Sequence, residues 1–147
     1  MSVGPAVLEY LGGRKVLGRA SASSPIELHE LVAKGLPAAS LVFFVAYWHF
    51  TRAEISDCLG ISPKTFARWK ATPRKHIDPT TSDRLIRTAK VLALAEQVLE
   101  GADAARGWMD EPQVGLGNKT PKELLTTHVG TREVEELLLR MEHGFLA

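Results

Sequence analysis

Apolar residues recur every three or four positions along most of this chain, in short segments that glycine and proline separate. This spacing places apolar side chains on one face of a helix. Alternation of apolar and polar residues, which marks a half-buried strand, does not persist over the length that a strand needs. The pattern therefore predicts an all-α fold built from short helices.

Residues 1–24 carry the weakest pattern. One short helical turn is predicted there from three apolar residues, which are Val7, Leu8 and Leu11. Gly12 and Gly13 are expected to interrupt it, because glycine is a poor helix former. The serine-rich residues 21–24 predict a flexible stretch.

Two helices are predicted before residue 51. The first has Ser24 as its N-cap, Pro25 at its first position and Gly35 at its end, which is the usual order of these residue types. The second runs from Pro37 to about Phe50. Since it is apolar nearly all round, we expect it at the centre of the core.

A helix-turn-helix is predicted for residues 51–70. A capping box at residues 51–54 begins the first helix, and Gly60 ends it at a tight turn. Ser62 caps the second helix and Pro63 occupies its first position. The first helix supports the second, and the second has one buried face and one free face, as the motif requires.

The second helix of this motif has an aromatic face and a cationic face. At about 100° per residue, Phe66 and Trp69 point one way, while Lys64 and Arg68 point roughly the opposite way. If the rings face the core, the cations face a DNA groove, and we expect Lys64, Thr65 and Arg68 to reach base edges. Phosphate contacts are expected from the other polar and basic residues of this region, which are Arg52, Ser62, Lys70, Arg74, Lys75 and His76. An ordinary pair of core helices is the alternative.

Charge is divided unevenly along the 147 residues, although the net charge is only +1. Residues 1–90 hold 13 Lys and Arg against 7 Asp and Glu, and residues 91–147 hold 5 against 10. A basic part followed by an acidic part is typical of a nucleic-acid-binding region joined to a region with another role. Chance variation between small domains is the alternative.

A long helix is predicted for residues 82–100, after a turn-rich patch at residues 78–83. Its basic residues come first and its acidic residues last, which opposes the helix dipole. The basic residues are Arg84, Arg87 and Lys90. They either serve a partner such as phosphate or form a solvated face.

Two short helices are predicted in the acidic part. Asp103 is expected to cap the first, which Pro112 stops. Thr120 and Glu123 form a capping box for the second, and Gly130 is expected to end it.

The last helix is expected to be capped by Thr131 and to end at Gly144. One apolar stripe runs along it, formed by Val134, Leu137, Leu138 and Met141. The apolar tail at residues 145–147 follows an acidic helix, a combination that suits a basic pocket on a partner. Alternatively, the tail folds back on its own domain.

Two parts of the chain resemble known families. Residues 51–70 resemble the helix-turn-helix of the Xre, lambda-repressor-like class, with structural positions filled by Ile55, Leu59, Gly60, Ile61, Phe66 and Trp69. Residues 91–147 resemble the toxin-binding domain of the Xre/MbcA/ParS antitoxin family. The matching residues are Ala105, Trp108, Met109, Pro112, residues 116–121, Leu124, Leu125, Gly130, Val134, Leu138, Arg140 and Gly144. Lys122 departs from the pattern, because an apolar residue is expected there.

The resemblance implies an antitoxin encoded beside a RES-domain toxin, an enzyme similar to ADP-ribosyltransferases that consumes NAD. It implies that the C-terminal part covers the entrance of the toxin's active site and that the helix-turn-helix represses the shared operon. The residues expected to bind toxin are Glu136, Arg140, His143, Gly144, Phe145, Leu146 and Ala147.

The expected organisation is a poorly defined segment at residues 1–24, a lambda-repressor-like DNA-binding domain at 25–90 and a small helical toxin-binding domain at 91–147. Helix-turn-helix proteins commonly bind paired half-sites, so a homodimer that forms a hetero-oligomer with toxin is expected. Either the helix at residues 37–50 or the one at 82–100 is expected to supply the dimer surface. A stand-alone transcription regulator and an adaptor without DNA binding are the alternatives.

Other classes of function have little support in the sequence. No phosphate-binding loop, acid pair or activated serine motif is present, so no enzymatic activity and no cofactor are expected. Five histidines and Cys58, which is expected to be half-buried, lack metal-ligand spacing, so no metal is expected. The apolar residues 36–50 fall short of the roughly 20 that a membrane span needs, and no signal peptide is apparent, so a cytoplasmic protein is expected.

Overall fold

A computed structural model describes residues 4–17 and 24–144, with side chains from residue 7 onward. This part of the chain forms ten α-helices: α1 (Gly4–Tyr10), α2 (Gly13–Leu17), α3 (Pro25–Lys34), α4 (Ala38–Tyr47), α5 (Arg52–Leu59), α6 (Pro63–Ala71), α7 (Pro79–Leu99), α8 (Ala102–Met109), α9 (Pro121–Leu124) and α10 (His128–Glu142). A 3₁₀ turn, Val114–Leu116, separates α8 from α9. Among the described residues there are two isolated bridges and no strand, which confirms the all-α prediction.

The chain forms two compact units, residues 1–90 and residues 91–147. Helix α7 begins in the first unit and ends in the second.

Helix α4 is the centre of the first unit, where it contacts α1, α2 and α6. Leu41 and Phe44 are fully buried, and the ring of Trp48 meets that of Tyr10 edge-on, with 5.1 Å between centroids. This position confirms the prediction that the helix lies at the centre of the core, although Phe43 is 41% exposed.

The bounds of α4 also differ from the prediction. Pro37 precedes the helix as its N-cap, and the helix ends at Tyr47 with Trp48 as C-cap. The backbone of Phe50 leaves the helical pattern, although its N–H still donates to Val45 O at 3.0 Å.

The predicted turn at residues 78–83 is wrong, because α7 begins there. The Asp78 carboxylate accepts the N–H and the hydroxyl of Thr81 at 2.9 and 3.0 Å, so it satisfies a donor at the first turn. Burial opposes ionisation of Asp78, but the hydrogen bonds from Thr81 outweigh it and lower the pKa of that carboxyl. Ser82 is buried, and its Oγ accepts Leu36 N–H at 3.0 Å, which ties α7 to the α3–α4 connection.

The segment after α6 is held by backbone hydrogen bonds to the start of α4. Ala38 N–H donates to Lys75 O at 2.7 Å, and Ala39 N–H donates to Pro73 O at 3.0 Å. Ile77 N–H donates to Leu36 O at 2.8 Å. The chain therefore leaves α6 along a defined path.

Near the N-terminus the structure has two helices, α1 and α2, where a single turn was predicted. Val7, Tyr10 and Leu11 are buried, so this segment belongs to the core of the first unit. Of the predicted flexible stretch, residues 21–23 lie outside the described residues.

The second unit packs α9 against α8 and α10. Its core is apolar, and its fully buried side chains include Met109, Leu137 and Leu138. The prediction that Asp103 caps α8 is wrong. Gly101 holds the cap position, and Asp103 lies in the first turn, where its carboxylate accepts Arg106 Nη1 at 2.8 Å.

The predicted boundary between the last two helices is also wrong. Helix α9 ends at Leu124, and α10 begins at His128, with its N-cap at Thr127 rather than at Thr131. Gly130 lies in the first turn of α10, where its N–H donates to Thr127 Oγ1 at 2.9 Å. This glycine therefore does not end a helix.

Lys122 is buried, being only 8% exposed, although it is charged. Its ammonium lies 3.4 Å from the carboxylate of Asp110, the C-cap of α8. The ion pair explains how a lysine is accommodated where the family resemblance led us to expect an apolar side chain. Because Asp110 is about 59% exposed, the pair is partly screened by solvent.

We expect Asp110→Ala to lower the unfolding free energy of the second unit by about 1 kcal/mol, because it leaves a buried ammonium without this partner. Lys122→Met keeps the apolar stem and removes the charge, and replacing a buried ion pair in this way is often neutral. The Asp110→Ala, Lys122→Met double variant should therefore be at least as stable as Asp110→Ala alone. Urea unfolding followed by circular dichroism measures all three; a double variant less stable than Asp110→Ala contradicts the explanation.

Candidate functional site

The helix-turn-helix is framed by side-chain caps. Thr51 Oγ1 accepts Glu54 N–H at 3.2 Å, and Thr51 N–H donates to Glu54 Oε1 at 2.8 Å. Gly60 adopts the left-handed conformation with φ 69°, which an L side chain rarely takes. Ser62 Oγ accepts Thr65 N–H at 3.1 Å at the start of α6. The predicted capping box, turn glycine and second cap are confirmed.

Helix α5 braces the motif through one buried face. Ile55 and Leu59 are buried as predicted. Cys58 is buried as well, so the prediction of a half-buried thiol is wrong. The three positions are three or four residues apart and so share one face of the helix.

The aromatic face of α6 is only partly buried. Trp69 is 7% exposed and belongs to the core, as predicted. Phe66 is half-buried, so the prediction that both rings turn fully inward is wrong for this residue. The Lys70 ammonium lies 5.7 Å from the centroid of the Phe66 ring, which is a cation–π distance.

Lys64 and Arg68 are exposed. At about 100° per residue they point roughly 140° and 100° away from Trp69. The helix contains no acidic residue, so every charged side chain on it is positive. Thr65 is half-buried, and its Oγ1 accepts the hydroxyl of Ser62 at 3.0 Å. Both hydroxyls take part in the N-cap of α6. Of the three residues expected to contact bases, Lys64 and Arg68 are therefore more accessible than Thr65.

A recess of about 360 Å³ lies between α5 and α6, beside this cationic surface. It is lined by Arg52, Ile55, Pro63, Lys64, Phe66, Ala67 and Lys70. The structure thus brings together three of the basic residues singled out from the sequence. Lysine and arginine side chains are frequent donors to DNA phosphates.

The remaining expected phosphate contacts lie elsewhere. Arg74 and Lys75 are exposed in the segment after α6. His76 Nδ1 is 2.7 Å from Gly35 O and must donate to it, because a carbonyl oxygen only accepts. Arg74 and His76 line a second cavity of about 480 Å³, together with Lys15 and Lys34.

The outward side of α10 is the second candidate surface. Val134, Leu137 and Leu138 face the core, and the opposite side forms an exposed strip that we call the α10 outer face. Its members, three or four residues apart, are Val129, Arg132, Glu136, Leu139, Arg140 and His143. The expected toxin-binding residues Glu136, Arg140 and His143 therefore share one surface.

Gly144 follows directly, with φ 81°. The other three expected toxin-binding residues, Phe145, Leu146 and Ala147, lie outside the described residues.

Two apolar members of the α10 outer face were missed from the sequence. Val129 is 72% exposed, and Leu139 is also partly in solvent. Leu139 is an apolar residue on the polar side of an otherwise amphipathic helix. This departure from the pattern is the one feature of the sequence that could have identified it.

Two further findings concern the described residues only. No helix among them is long and apolar enough to cross a membrane. They also contain no cluster of three or more His, Cys, Asp or Glu side chains in reach of one metal ion.

Comparison with known families covers both parts of the chain. Residues 27–90 match the antitoxin Xre-like helix-turn-helix domain. Residues 94–144 match the antitoxin Xre/MbcA/ParS C-terminal toxin-binding domain.

Similar proteins match over nearly the whole chain. An antitoxin Xre of Pseudomonas putida is 31% identical over 123 residues, covering 84% of this chain and 76% of that protein. An antitoxin Xre of Photorhabdus laumondii is 30% identical over 135 residues, covering 90% and 89%. A protein of Sphingobium named Prs ADP-ribosylating antitoxin is 27% identical over 134 residues, covering 85% and 84%.

Proposed function

Because this chain belongs to the Xre/MbcA/ParS family of antitoxins, with an Xre-like helix-turn-helix, we propose that it masks a RES-domain toxin that consumes NAD. We further propose that it represses, in the cytoplasm, the operon that encodes both proteins. In this proposal residues 25–90 bind the operator and residues 91–147 bind the toxin.

The observation that carries the DNA-binding part is the orientation of α6. Trp69 is buried, whereas Lys64 and Arg68, which the helical repeat turns away from it, are exposed. An α-helix with its cationic side free is the element that a helix-turn-helix inserts into the major groove. The recess lined by Arg52, Lys64 and Lys70 supports a phosphate contact beside the base contacts.

The α10 outer face supports the masking part. It combines exposed Val129 and Leu139 with Arg140, and arginine is enriched at protein interfaces. Helix-turn-helix proteins commonly bind two half-sites, so we propose a homodimer that assembles with toxin.

Co-expression with the product of the adjacent gene tests the proposal. Expressed alone, that product should deplete cellular NAD and stop growth; with this chain, NAD should stay at its normal level and the two proteins should co-purify. A gel shift with the operon's promoter fragment tests repression. Growth arrest that persists in the presence of this chain points to a stand-alone regulator, and failure to bind the promoter points to an adaptor.

We expect Arg140→Ala to weaken toxin binding about 30-fold, because arginine is a frequent hot-spot residue and Arg140 lies on the α10 outer face. Alanine favours helix, so α10 should be retained. Glu135→Ala is the matched control, since Glu135 is exposed on the same helix but outside that face. Calorimetric titration with a catalytically inactive toxin measures both; equal effects of the two variants would rule out this surface.

A further inference from the structure

Arg84 of α7 lies directly against the turn of the helix-turn-helix. A Cβ atom placed on Gly60 would be only 2.5 Å from Arg84 Nη1. The guanidinium therefore occupies the space that any side chain at position 60 would need. These two residues are far apart in sequence, so α7 reaches the turn through tertiary packing.

The chemistry of this contact suits an arginine. Helix α5 ends at Leu59, and its last carbonyls form the negative end of the helix dipole. A guanidinium carries five N–H donors and a permanent positive charge, so it complements such an end. Gly60 N–H donates to Ser56 O at 2.9 Å, which sets the turn on which Arg84 rests.

The neighbouring arginine on α7 has another role. Arg87 Nε lies 3.1 Å from Asp83 Oδ2, one turn away on the same helix. The two arginines are therefore not equivalent members of one solvated basic face. Arg84 is half-buried at the turn, and Arg87 is engaged within its own helix.

We propose that Arg84 is a positioning residue, which clamps the turn at Gly60 and so sets the orientation of α6 relative to α5. The orientation of α6 determines where Lys64 and Arg68 point, so the clamp acts on DNA binding without touching DNA. This inference rests on the proposed operator binding, but the rigidity of the turn can be measured without DNA.

The test uses the full chain with Arg84→Met, which keeps an apolar stem and removes the charge and donors. We expect amide hydrogen exchange at Gly60 and Ile61 to become about tenfold faster and operator affinity to fall about tenfold, because the positive charge at the C-terminal end of α5 is lost. The slope of log K against log salt should stay the same, because no phosphate contact is lost. Arg84→Lys keeps the positive charge, so its exchange rates and its operator affinity should lie between those of Arg84→Met and those of the unaltered protein.

Arg87→Met is the matched control, with the same substitution on the same helix, and should change neither quantity. A salt slope reduced by about 1, with unchanged exchange at the turn, would make Arg84 a phosphate contact and overturn the clamp. Unchanged exchange and unchanged affinity would overturn it too. If no promoter fragment binds even the unaltered protein, the proposed repression fails, while the exchange rates still decide the clamp.

Discussion

The Lys64→Ala, Arg68→Ala double variant should lose operator affinity by a few hundredfold, equivalent to about 3–4 kcal/mol. Both side chains are exposed on α6, and the proposed operator binding assigns each of them a contact to DNA. A bidentate arginine–guanine contact alone contributes about 1–3 kcal/mol of discrimination. Alanine is a good helix former, and Trp69 stays in the core, so the fold should be preserved.

Fluorescence anisotropy with labelled promoter DNA at one fixed salt concentration measures this loss. Removing any two positive charges weakens DNA binding somewhat, so the control removes the same two charges elsewhere. Lys119→Ala with Arg132→Ala serves this purpose, because both residues are exposed in the second unit. If both double variants weaken binding equally, the contribution of α6 is general electrostatics and the groove assignment is wrong.

Gly130→Ala should destabilise the second unit by roughly 3 kcal/mol and remove toxin binding with it. A Cβ atom at this position would overlap the Leu124 carbonyl oxygen and would lie 2.9 Å from both Leu124 C and Thr127 Oγ1. These neighbours are the backbone at the end of α9 and the cap of α10, which cannot move without losing their hydrogen bonds. The substitution therefore pushes α10 away from α9.

Gly107→Ala is the matched control for this prediction. Gly107 lies within α8, in the same unit, and a Cβ there meets nothing within 4 Å. Alanine should stabilise that helix by about 0.5–1 kcal/mol, because glycine loses more backbone entropy in a helix. Calorimetric unfolding and toxin pull-down of both variants should give opposite shifts in stability. Similar melting of Gly130→Ala and the unaltered chain would mean that the close approach of α9 and α10 is not required.

The features that the sequence predicted correctly are those that depend on residues within one helical turn. The capping boxes at Thr51 and Thr120 and the caps at Ser24 and Ser62 form between side chains and amides three residues apart. In the Thr120 box the hydrogen bonds from Thr120 lower the pKa of Glu123. The periodicity of α6 likewise placed Trp69 inside and two cations outside.

The errors at helix boundaries have a different origin. Gly130 was taken as a helix end because glycine often ends helices, but glycine also permits two backbones to approach closely. Only the position of Leu124 decides between the two meanings. Pro79 was interpreted as part of a turn, although proline also suits the first position of a helix, which it occupies in α7.

The sequence by itself determined the all-α fold, the caps at Ser24, Thr51, Ser62 and Thr120, the turn at Gly60 and the cationic side of α6, since each follows from neighbours along the chain. Tertiary structure alone decided that Lys122 pairs with Asp110, that Phe66 stays half-exposed and that Arg84 rests on the turn while Arg87 does not. These features depend on distances between residues that the chain separates, and spacing along a helix does not encode such distances.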